Sequence, residues 1–412
     1  MFDSMDMDFS NSNGQTVSSP YIPDAGECMR CGMCVSSCPT FQLFKINEES
    51  PRSRIRTISK ILVENQPITA KEQNHLDNCL QCRACEAVCP SRMAYGQLFD
   101  EAQAQLKRNP VWLAKLALWL IENKPWRKRI MPLLTAYFKS GLQQPLRRSG
   151  LFKKFRLAEA EALISKPALT PLATRYLSKI KTRGRVALFT GCIAEHFDRE
   201  TLLAGIKLLN TIGYEVLVPP QQGCCGAIHQ HNGQSAESLI NNNINTFNML
   251  NVDAVLYTAS GCGAMLSEYA KNQNDEAQFS QQRLCDINEY LLNHWPSDIQ
   301  LKSSNLKVAV HEPCSQRNVL KNQQTVYDLL QKIPGISVIP LPDKLICCGA
   351  GGSYMITHPE NAEQLKSLKQ QAITEASVDV VVSSNFGCAL FLNNDDNKVE
   401  HPLRMLSRQL ND

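Results

Sequence analysis

Eight cysteines near the start of the chain form two copies of one pattern, C-x2-C-x2-C-x3-C-P. Sequences with this pattern bind 4Fe–4S clusters through the cysteine thiolates. The first three cysteines of a run bind one cluster, and the fourth reaches the cluster of the other run. We therefore predict one cluster on Cys28, Cys31, Cys34 and Cys89, and a second cluster on Cys79, Cys82, Cys85 and Cys38.

Zinc sites and disulfides are the two alternatives for these cysteines. A structural zinc site takes two pairs of ligands, whereas each run here has four cysteines and ends in proline. Disulfides need an oxidising compartment, and the acidic N-terminus, residues 1–8, lacks the apolar stretch of an export signal. The odd total of 17 cysteines also argues against a closed disulfide framework. The pattern therefore favours iron–sulfur clusters in a cytoplasmic protein.

Eight further cysteines lie in two copies of a longer motif in the C-terminal half. Each copy has a single cysteine, then a Cys-Cys-Gly triplet, then another single cysteine. The first spacing is 32 positions in one copy and 33 in the other, and the second is 38 and 41. This agreement predicts a duplicated module with pseudo-twofold symmetry. The two sets are Cys192, Cys224, Cys225, Cys262 and Cys314, Cys347, Cys348, Cys388.

Short strands alternate with helical stretches after residue 185, which indicates an α/β domain. Each β-branched run ends within a few residues of one of these cysteines. Because parallel strands bring their carboxyl ends to one edge of a sheet, we expect four cysteines around one crevice in each repeat. The repeated triplets favour a functional role over burial as small apolar side chains. Cys285 lies outside the pattern and is assigned to the core.

The chain of 412 residues is predicted to be a multidomain α+β and α/β protein. A 40-residue insert between Cys38 and Cys79 carries an apolar, helix-like segment, so the domain with the two clusters should be mostly helical. We expect a disordered tail at 1–20, this helical domain at 21–105, a basic connector at 106–180, module 1 at 181–300 and module 2 at 301–412.

The connector concentrates positive charge, with thirteen Lys and Arg against the single acid Glu122 between residues 107 and 156. Three interpretations stay open: an amphipathic surface on anionic lipid, with Trp119 and Trp126 in the interface; a dock for an acidic partner; or a linker helix on the N-terminal domain. Nucleic acid is disfavoured because no recognition motif accompanies the charge. No apolar stretch reaches the length of a membrane span, so only peripheral contact with the cytoplasmic face of the inner membrane is considered.

Two cluster-binding runs followed by two Cys-Cys-Gly modules resemble the iron–sulfur subunits of the glycolate oxidase, anaerobic glycerol-3-phosphate dehydrogenase, lactate-utilisation and heterodisulfide reductase group. Stretches 38–43, 51–55 and 258–264 look most like the glycolate oxidase iron–sulfur subunit. This resemblance implies a ferredoxin-type domain, electron transfer in a complex that oxidises glycolate to glyoxylate, FAD on partner glycolate oxidase subunits and a quinone acceptor. It implies no substrate-oxidising site here, and the chain has no nicotinamide or flavin fingerprint.

One departure from the heterodisulfide reductases concerns the end of each module, where a fifth cysteine is replaced by Met265 and by Phe391. The four remaining cysteines allow a simpler cluster, a thiol site that faces quinone, or no cofactor. Two alternative functions also stay open: the same role with glycerol 3-phosphate or lactate, and a heterodisulfide-reductase-like catalytic subunit. Four histidines near the cysteines are expected to pack rather than to touch a cofactor, and they are His229, His231, His311 and His358.

Overall fold

The computed structural model describes residues 28–29, 31–106, 112–154, 158–178, 180–269, 283–342, 346–394 and 397–411. The tail predicted to be disordered, residues 1–20, lies outside the described residues. The same holds for the first part of the basic connector, residues 107–111. Within the described ranges, every helix is too short or too polar to cross a lipid bilayer.

The N-terminal domain is built from short helices around a small apolar core, as the sequence predicts. Its third helix starts at Pro51, and the Ser50 side chain caps it by accepting a hydrogen bond from the amide of Ser53. Isoleucines at every third position give that helix one apolar face, which packs against Leu98 and Phe99. The helices are α1 (Met33–Ser36), α2 (Pro39–Phe44), α3 (Pro51–Leu62), α4 (Ala70–Asp77), α5 (Ala84–Ala87) and α6 (Tyr95–Gln105).

The helices around Lys124 in the connector pack on module 1, whereas Leu163, at the end of the last connector helix, packs on module 2. Lys124 Nζ lies 3.5 Å from a carboxylate oxygen of Glu195 and donates hydrogen bonds to the carbonyl oxygens of Pro220 and Gln222. The helix that carries Lys124 therefore rests on module 1 rather than on the N-terminal domain. The connector helices are α7 (Trp112–Glu122), α8 (Lys124–Lys139), α9 (Gln143–Arg148), α10 (Leu151–Lys154) and α11 (Ala158–Leu163).

Each module contains a parallel sheet with the same strand order. Module 1 has the order β1-β3-β2-β4-β5, in which only β1 is antiparallel to its neighbour, and module 2 has the order β7-β6-β8-β9. The strands are β1 (Arg175–Tyr176), β2 (Gly184–Phe189), β3 (Tyr214–Leu217), β4 (Ala254–Tyr257), β5 (Leu284–Asp286), β6 (Lys307–His311), β7 (Ser337–Pro340), β8 (Val380–Ser383) and β9 (Val399–Glu400). The shared order β3-β2-β4-β5 and β7-β6-β8-β9 confirms the predicted duplication of an α/β unit.

Helices cover both sheets and join them through one apolar core. Leu403 and Leu406, near the C-terminus, are fully buried in a cluster that includes residues from β2 and β6. In module 1 the helices are α12 (Ala194–Phe197), α13 (Arg199–Thr211), α14 (Ala227–His231), α15 (Glu237–Asn248), α16 (Ser260–Ser267) and α17 (Ile287–His294). Module 2 has a π-helix (Ser315–Leu320) and α18 (Gln324–Leu330), α19 (Tyr354–Thr357), α20 (Pro359–Ala376), α21 (Phe386–Leu392) and α22 (Pro402–Arg408).

Candidate metal centres

The eight N-terminal cysteines line two neighbouring cavities, of about 530 Å³ and about 300 Å³. In each cavity, the fourth cysteine of one run lies beside the first three cysteines of the other run. Pro51, Cys85 and Tyr95 line both cavities, so the two sites share part of their wall. The first cavity contains Cys28, Cys31, Cys34, Cys85 and Cys89, and the second contains Cys38, Cys79, Cys82 and Cys85.

The same local turn shapes both runs. The residue after the second cysteine has a left-handed backbone in each case, with φ of 80° at Gly32 and 55° at Arg83. A short helix follows at once and carries the third cysteine of the run. Arg83 adopts this left-handed conformation. Its guanidinium pairs with Glu86, 2.5 Å away, and with Glu268 of module 1. The turn reverses the chain so that three thiols point into one cavity.

The buried thiols of these cavities resist ionisation when no metal compensates their charge. Burial raises the pKa of Cys34, Cys79 and Cys85, because a thiolate loses its hydration there, and repulsion by neighbouring sulfurs adds to the effect. Four sulfurs converge at each cavity, which fits a cationic iron–sulfur core, since bound iron offsets the charge of the thiolates.

A buried cation, Arg54, stabilises the second cavity and was not identified from the sequence. It is 2% exposed and donates a hydrogen bond to Cys38 Sγ at 3.7 Å while it pairs with Glu49. Glu49 also accepts from Asn78 at 2.8 Å and lies 2.7 Å from His75 Nδ1. The sequence feature that could have identified Arg54 is its position directly before Ile55, on the apolar face of α3.

The cysteines of the two modules line one shared cavity, which corrects the expected crevice in each repeat. This cavity has about 1570 Å³ of open space and lies between the modules and the N-terminal domain. The carboxyl edges of the two sheets face each other, and the Ser260 amide donates a hydrogen bond to the Ser384 carbonyl oxygen at 3.0 Å. The two crevices merge for that reason, and all eight cysteines line the wall: Cys192, Cys224, Cys225, Cys262, Cys314, Cys347, Cys348 and Cys388.

Matching glycines fold the two Cys-Cys-Gly turns. The Gly226 amide donates to Cys224 Sγ at 3.4 Å, and the Gly349 amide donates to Cys347 Sγ at 3.5 Å. Both glycines have φ near 90°, a conformation that other residues rarely adopt. Each turn thus holds the first thiol of its pair by a backbone amide, and both thiols of each pair line the shared cavity.

Two thiols of module 2, Cys347 and Cys388, have a lowered pKa. The sulfurs of Cys348 and Cys388 are 3.1 Å apart. Hydrogen bonding from Cys348, together with the nearby His311 imidazole, lowers the pKa of Cys388 to about 6. Neighbouring thiols and burial raise the pKa of Cys192 and Cys225 in module 1, and they also raise the pKa of the corresponding Cys314 and Cys348 in module 2.

Three of the four histidines near these cysteines pack against other side chains, as expected. His229 lies 3.9 Å from Glu122, and His231 lies 3.3 Å from Asp100. His358 stacks on Tyr354 with ring centroids 4.6 Å apart. His311 differs, because it lies with two cysteines: its ring nitrogen and the sulfurs of Cys348 and Cys388 are all within 4.8 Å of one another.

The second N-terminal cavity borders module 2. Asn318 in the π-helix donates a hydrogen bond to the Cys82 carbonyl oxygen at 2.7 Å, and Leu80 packs into the core around Cys347 and Cys348. Burial raises the pKa of the Cys82 thiol, and the negative charge that Cys347 would carry adds to this effect. The N-terminal cysteines and those of module 2 therefore form one connected region.

Comparison with known proteins places these features in a family. The description "4Fe-4S dicluster domain" matches residues 24–93, and "Cysteine-rich domain" matches residues 186–267 and 308–393. The chain is 32% identical over 394 residues to the probable glycolate oxidase iron-sulfur subunit of Bacillus subtilis (strain 168), with 89% of this chain and 88% of the relative covered. The chain belongs to the family of glycolate oxidase iron–sulfur subunits.

A second member of the glycolate oxidase iron–sulfur subunit family, from Escherichia coli (strain K12), is 29% identical over 383 residues and covers 89% of each chain. The crystal structure of a hypothetical protein from Helicobacter pylori has a TM-score of 0.53 at 11% identity, over 87% of this chain and 68% of that one. That likeness concerns the fold alone. The predicted resemblance and fold class are confirmed.

Proposed function

We propose that this chain is the electron-transfer subunit of a complex that oxidises glycolate to glyoxylate. Partner subunits with FAD would abstract the hydride, since this chain has no flavin fingerprint and we expect no substrate-oxidising site on it. A quinone would be the acceptor. The observation that carries the proposal is the crossed placement of eight cysteines around two adjacent cavities, in a member of the glycolate oxidase iron–sulfur subunit family.

Two 4Fe–4S clusters would supply one-electron chemistry at these cavities. Cys28, Cys31, Cys34 and Cys89 would hold the first, and Cys79, Cys82, Cys85 and Cys38 the second. Arg54 would then hold Cys38 in place and balance the negative charge of the second site. Hydrogen bonds to cluster sulfurs raise a reduction potential, so Arg54 and the Gln81 amide, which lies 3.4 Å from Cys79 Sγ, would favour the reduced state there.

The two cavities differ in what covers them. The first opens towards solvent, where Met29 is 70% exposed and Met33 is 55% exposed beside Cys31. The second is closed by Leu80 and by module 2. This asymmetry favours docking of the flavoprotein at the first cavity and an acceptor on the side of the shared cavity, whose wall includes Leu80, Ile228 and Met355.

The basic connector would give this complex a peripheral contact with anionic lipid. Leu133 is 71% exposed and Trp126 is 46% exposed on α8, among a run of lysines and arginines. Each basic residue near an anionic surface contributes about 1 kcal/mol. Arg127 is buried, so the test leaves it unchanged. The double substitution Lys128→Gln and Arg129→Gln should reduce cosedimentation of the protein with anionic vesicles. Equal binding of the parent chain to neutral and to anionic vesicles would contradict this role.

Electron transfer is tested with serine variants in the complex assembled with its flavoprotein partners. Cys28→Ser and Cys82→Ser should each abolish quinone reduction by glycolate, because each removes a cluster ligand, while glycolate still reduces the flavin at the parent rate. Stopped-flow absorbance of the flavin and the rate of quinone reduction measure the two steps separately. Iron and acid-labile sulfide per chain should be about eight each in the parent protein if it holds two such clusters.

Cys285→Ser provides the matched control, since Cys285 belongs to neither cysteine pattern and its thiol donates to the Asp286 carbonyl oxygen. It should leave both steps and the iron content unchanged. Equal loss of both steps in the Cys28 and Cys82 variants would mean that the subunit is only structurally required. Faster flavin reduction by lactate or glycerol 3-phosphate than by glycolate would contradict the assigned substrate.

A further inference from the structure

Tyr95 lies in the wall that the two N-terminal cavities share, together with Pro51 and Cys85. Among these three residues, Cys85 is a predicted cluster ligand and Pro51 has no polar side-chain atom, so Tyr95 supplies the hydrogen-bonding group. The Tyr95 hydroxyl oxygen lies 3.5 Å from Sγ of Cys79, which lines the second cavity. Tyr95 therefore borders both cavities, and its hydroxyl contacts a thiol of the second.

The turn that follows the second cysteine run places this side chain. Cys89 ends the run and lines the first cavity, and the Arg92 amide then donates a hydrogen bond to the Cys89 carbonyl oxygen at 3.1 Å. Helix α6 begins at Tyr95, whose amide donates to the Met93 carbonyl oxygen at 2.8 Å. The Tyr95 side chain is 4% exposed, and its ring centroid lies 6.1 Å from that of Phe99. Because the ring is packed in this core, the position of its hydroxyl is fixed.

The Tyr95 hydroxyl is the donor in its contact with Cys79. A cysteine that binds a cluster does so as a thiolate, so its sulfur has no proton to donate. Burial raises the pKa of Tyr95 well above its usual range, and the charge that Cys79 would carry raises it further, so the hydroxyl keeps its proton. The contact is therefore a neutral O–H group that donates to a negatively charged sulfur.

We propose that the Tyr95 hydroxyl raises the reduction potential of the second site relative to the first, and so favours electron flow from the first site to the second. This inference rests on the proposed electron-transfer function. Hydrogen bonds to the sulfurs of a cluster help to set its potential, because the added negative charge of the reduced state strengthens them. The first site would lose one electron and the second would gain it, while no covalent bond changes and the proton stays on Tyr95. This direction agrees with the exposed cover of the first cavity and with the position of the second beside module 2.

The test compares Tyr95→Phe with the parent chain, each purified in full length under anaerobic conditions, by redox titration followed by EPR. Phenylalanine keeps the packed ring and removes the hydroxyl. We expect the potential of one cluster to fall while the other stays unchanged. The preference of the electron for the second site should fall by up to about tenfold, which is about 59 mV for a one-electron couple. Arg54→Lys identifies the affected site, because Arg54 donates to Cys38 Sγ of the second set at 3.7 Å, and it should shift the same EPR signal.

Tyr290→Phe is the matched control, since Tyr290 is also buried, at 7% exposed, but lies in helix α17 of module 1 with its ring stacked on His294. It should leave both potentials unchanged.

The proposal is overturned if Tyr95→Phe leaves both potentials unchanged, shifts them equally, or shifts the signal that Arg54→Lys does not affect. Loss of a cluster from Tyr95→Phe would overturn it as well, because the hydroxyl would then be needed for cluster binding. About eight irons per parent chain together with unchanged potentials would overturn the role of Tyr95 alone. A parent chain without iron would overturn the proposed function too.

Discussion

The two modules share a backbone plan and differ in the chemistry at its centre. In each, an aspartate beside a strand accepts a hydrogen bond from the first amides of the central strand: Asp253 from Arg185 and Asp379 from Lys307, both at 2.8 Å. In each, a glycine with positive φ follows the cysteine pair. These devices set where the thiols lie, because they fix the strand ends and the turn.

The contents of the two turns diverge within this common plan. Phe189 gives module 1 an aromatic core beside its thiols, whereas His311 gives module 2 a polar one. Module 1 also lies against the connector, and module 2 lies against the second N-terminal cavity through Leu80 and Cys82. The duplication therefore conserves the positions of the sulfurs, and the side chain three positions before the first cysteine differs between the two modules.

The glycines of the two turns provide the largest test of the common plan. A Cβ at position 349 would lie 2.5 Å from the Ala362 carbonyl oxygen, and one at position 226 would lie 2.8 Å from the Ala236 methyl group. Gly349→Ala should lower the free energy of unfolding by about 2–5 kcal/mol, through strained φ and overpacking. Gly226→Ala should cost less, since a methyl group moves more easily than helix backbone. Urea unfolding at constant metal content measures both.

Gly387→Ala is the control for this comparison. Gly387 lies in helix α21, shows no positive φ, and its ideal Cβ position has no atom of the described residues within 4 Å. Alanine there should leave stability unchanged or raise it by up to about 1 kcal/mol, since alanine favours a helix. A loss at Gly387 similar to that at Gly349 would show that the turn geometry is not the cause.

Much of the fold could be predicted because local patterns determine it. The cysteine spacing identified both N-terminal runs, and β-branched strands that end near cysteines identified the α/β modules. Duplication of the Cys-Cys-Gly triplet predicted a shared plan, which the strand orders confirm. The merged cavity could not be predicted in this way, because the approach of the two sheet edges depends on long-range packing by residues such as Leu403.

Arg54 and His311 were missed for the same reason, because their places in the sites depend on long-range packing. The sign of Arg54 in the sequence is its position among the isoleucines of α3, and the packing of α3 against α4 is what places it against Cys38. His311 was expected to pack, because a single histidine carries no spacing signal. Phe189 occupies the corresponding position when the two repeats are aligned. The difference between His311 and Phe189 was the available sign in the sequence that the modules are not equivalent.

The helix that follows the last strand of each sheet begins with a different titratable cap. Asp286 accepts a hydrogen bond from the Asn288 amide at 2.8 Å, and His401 accepts one from the Leu403 amide at 3.1 Å. His401 Nε2 donates to the Thr258 carbonyl oxygen of module 1 at 2.9 Å, so the ring is neutral. Burial raises the pKa of Asp286 to about 6 and lowers the pKa of His401 to about 4.

These two caps should make stability depend on pH with opposite signs, which is the smaller test of the comparison. The unfolded histidine binds a proton below pH of about 6.5, so stability from His401 is present above that pH and is lost as pH falls towards 4. The folded aspartic acid holds its proton up to pH of about 6, so stability from Asp286 is present at low pH and is lost as pH rises from about 4 to 6. Each effect is at most about 3 kcal/mol.

Asparagine at either position keeps the cap, because its side-chain oxygen accepts the same amide. His401→Asn should remove the loss of stability on acidification, and Asp286→Asn should remove the loss as pH rises, each relative to the parent chain in urea unfolding from pH 4 to 7. Since the two effects oppose each other, the parent should vary less with pH than either variant. A parent curve steeper than both would show that these caps do not titrate independently, and the two modules would then be coupled through the contact of His401 with Thr258.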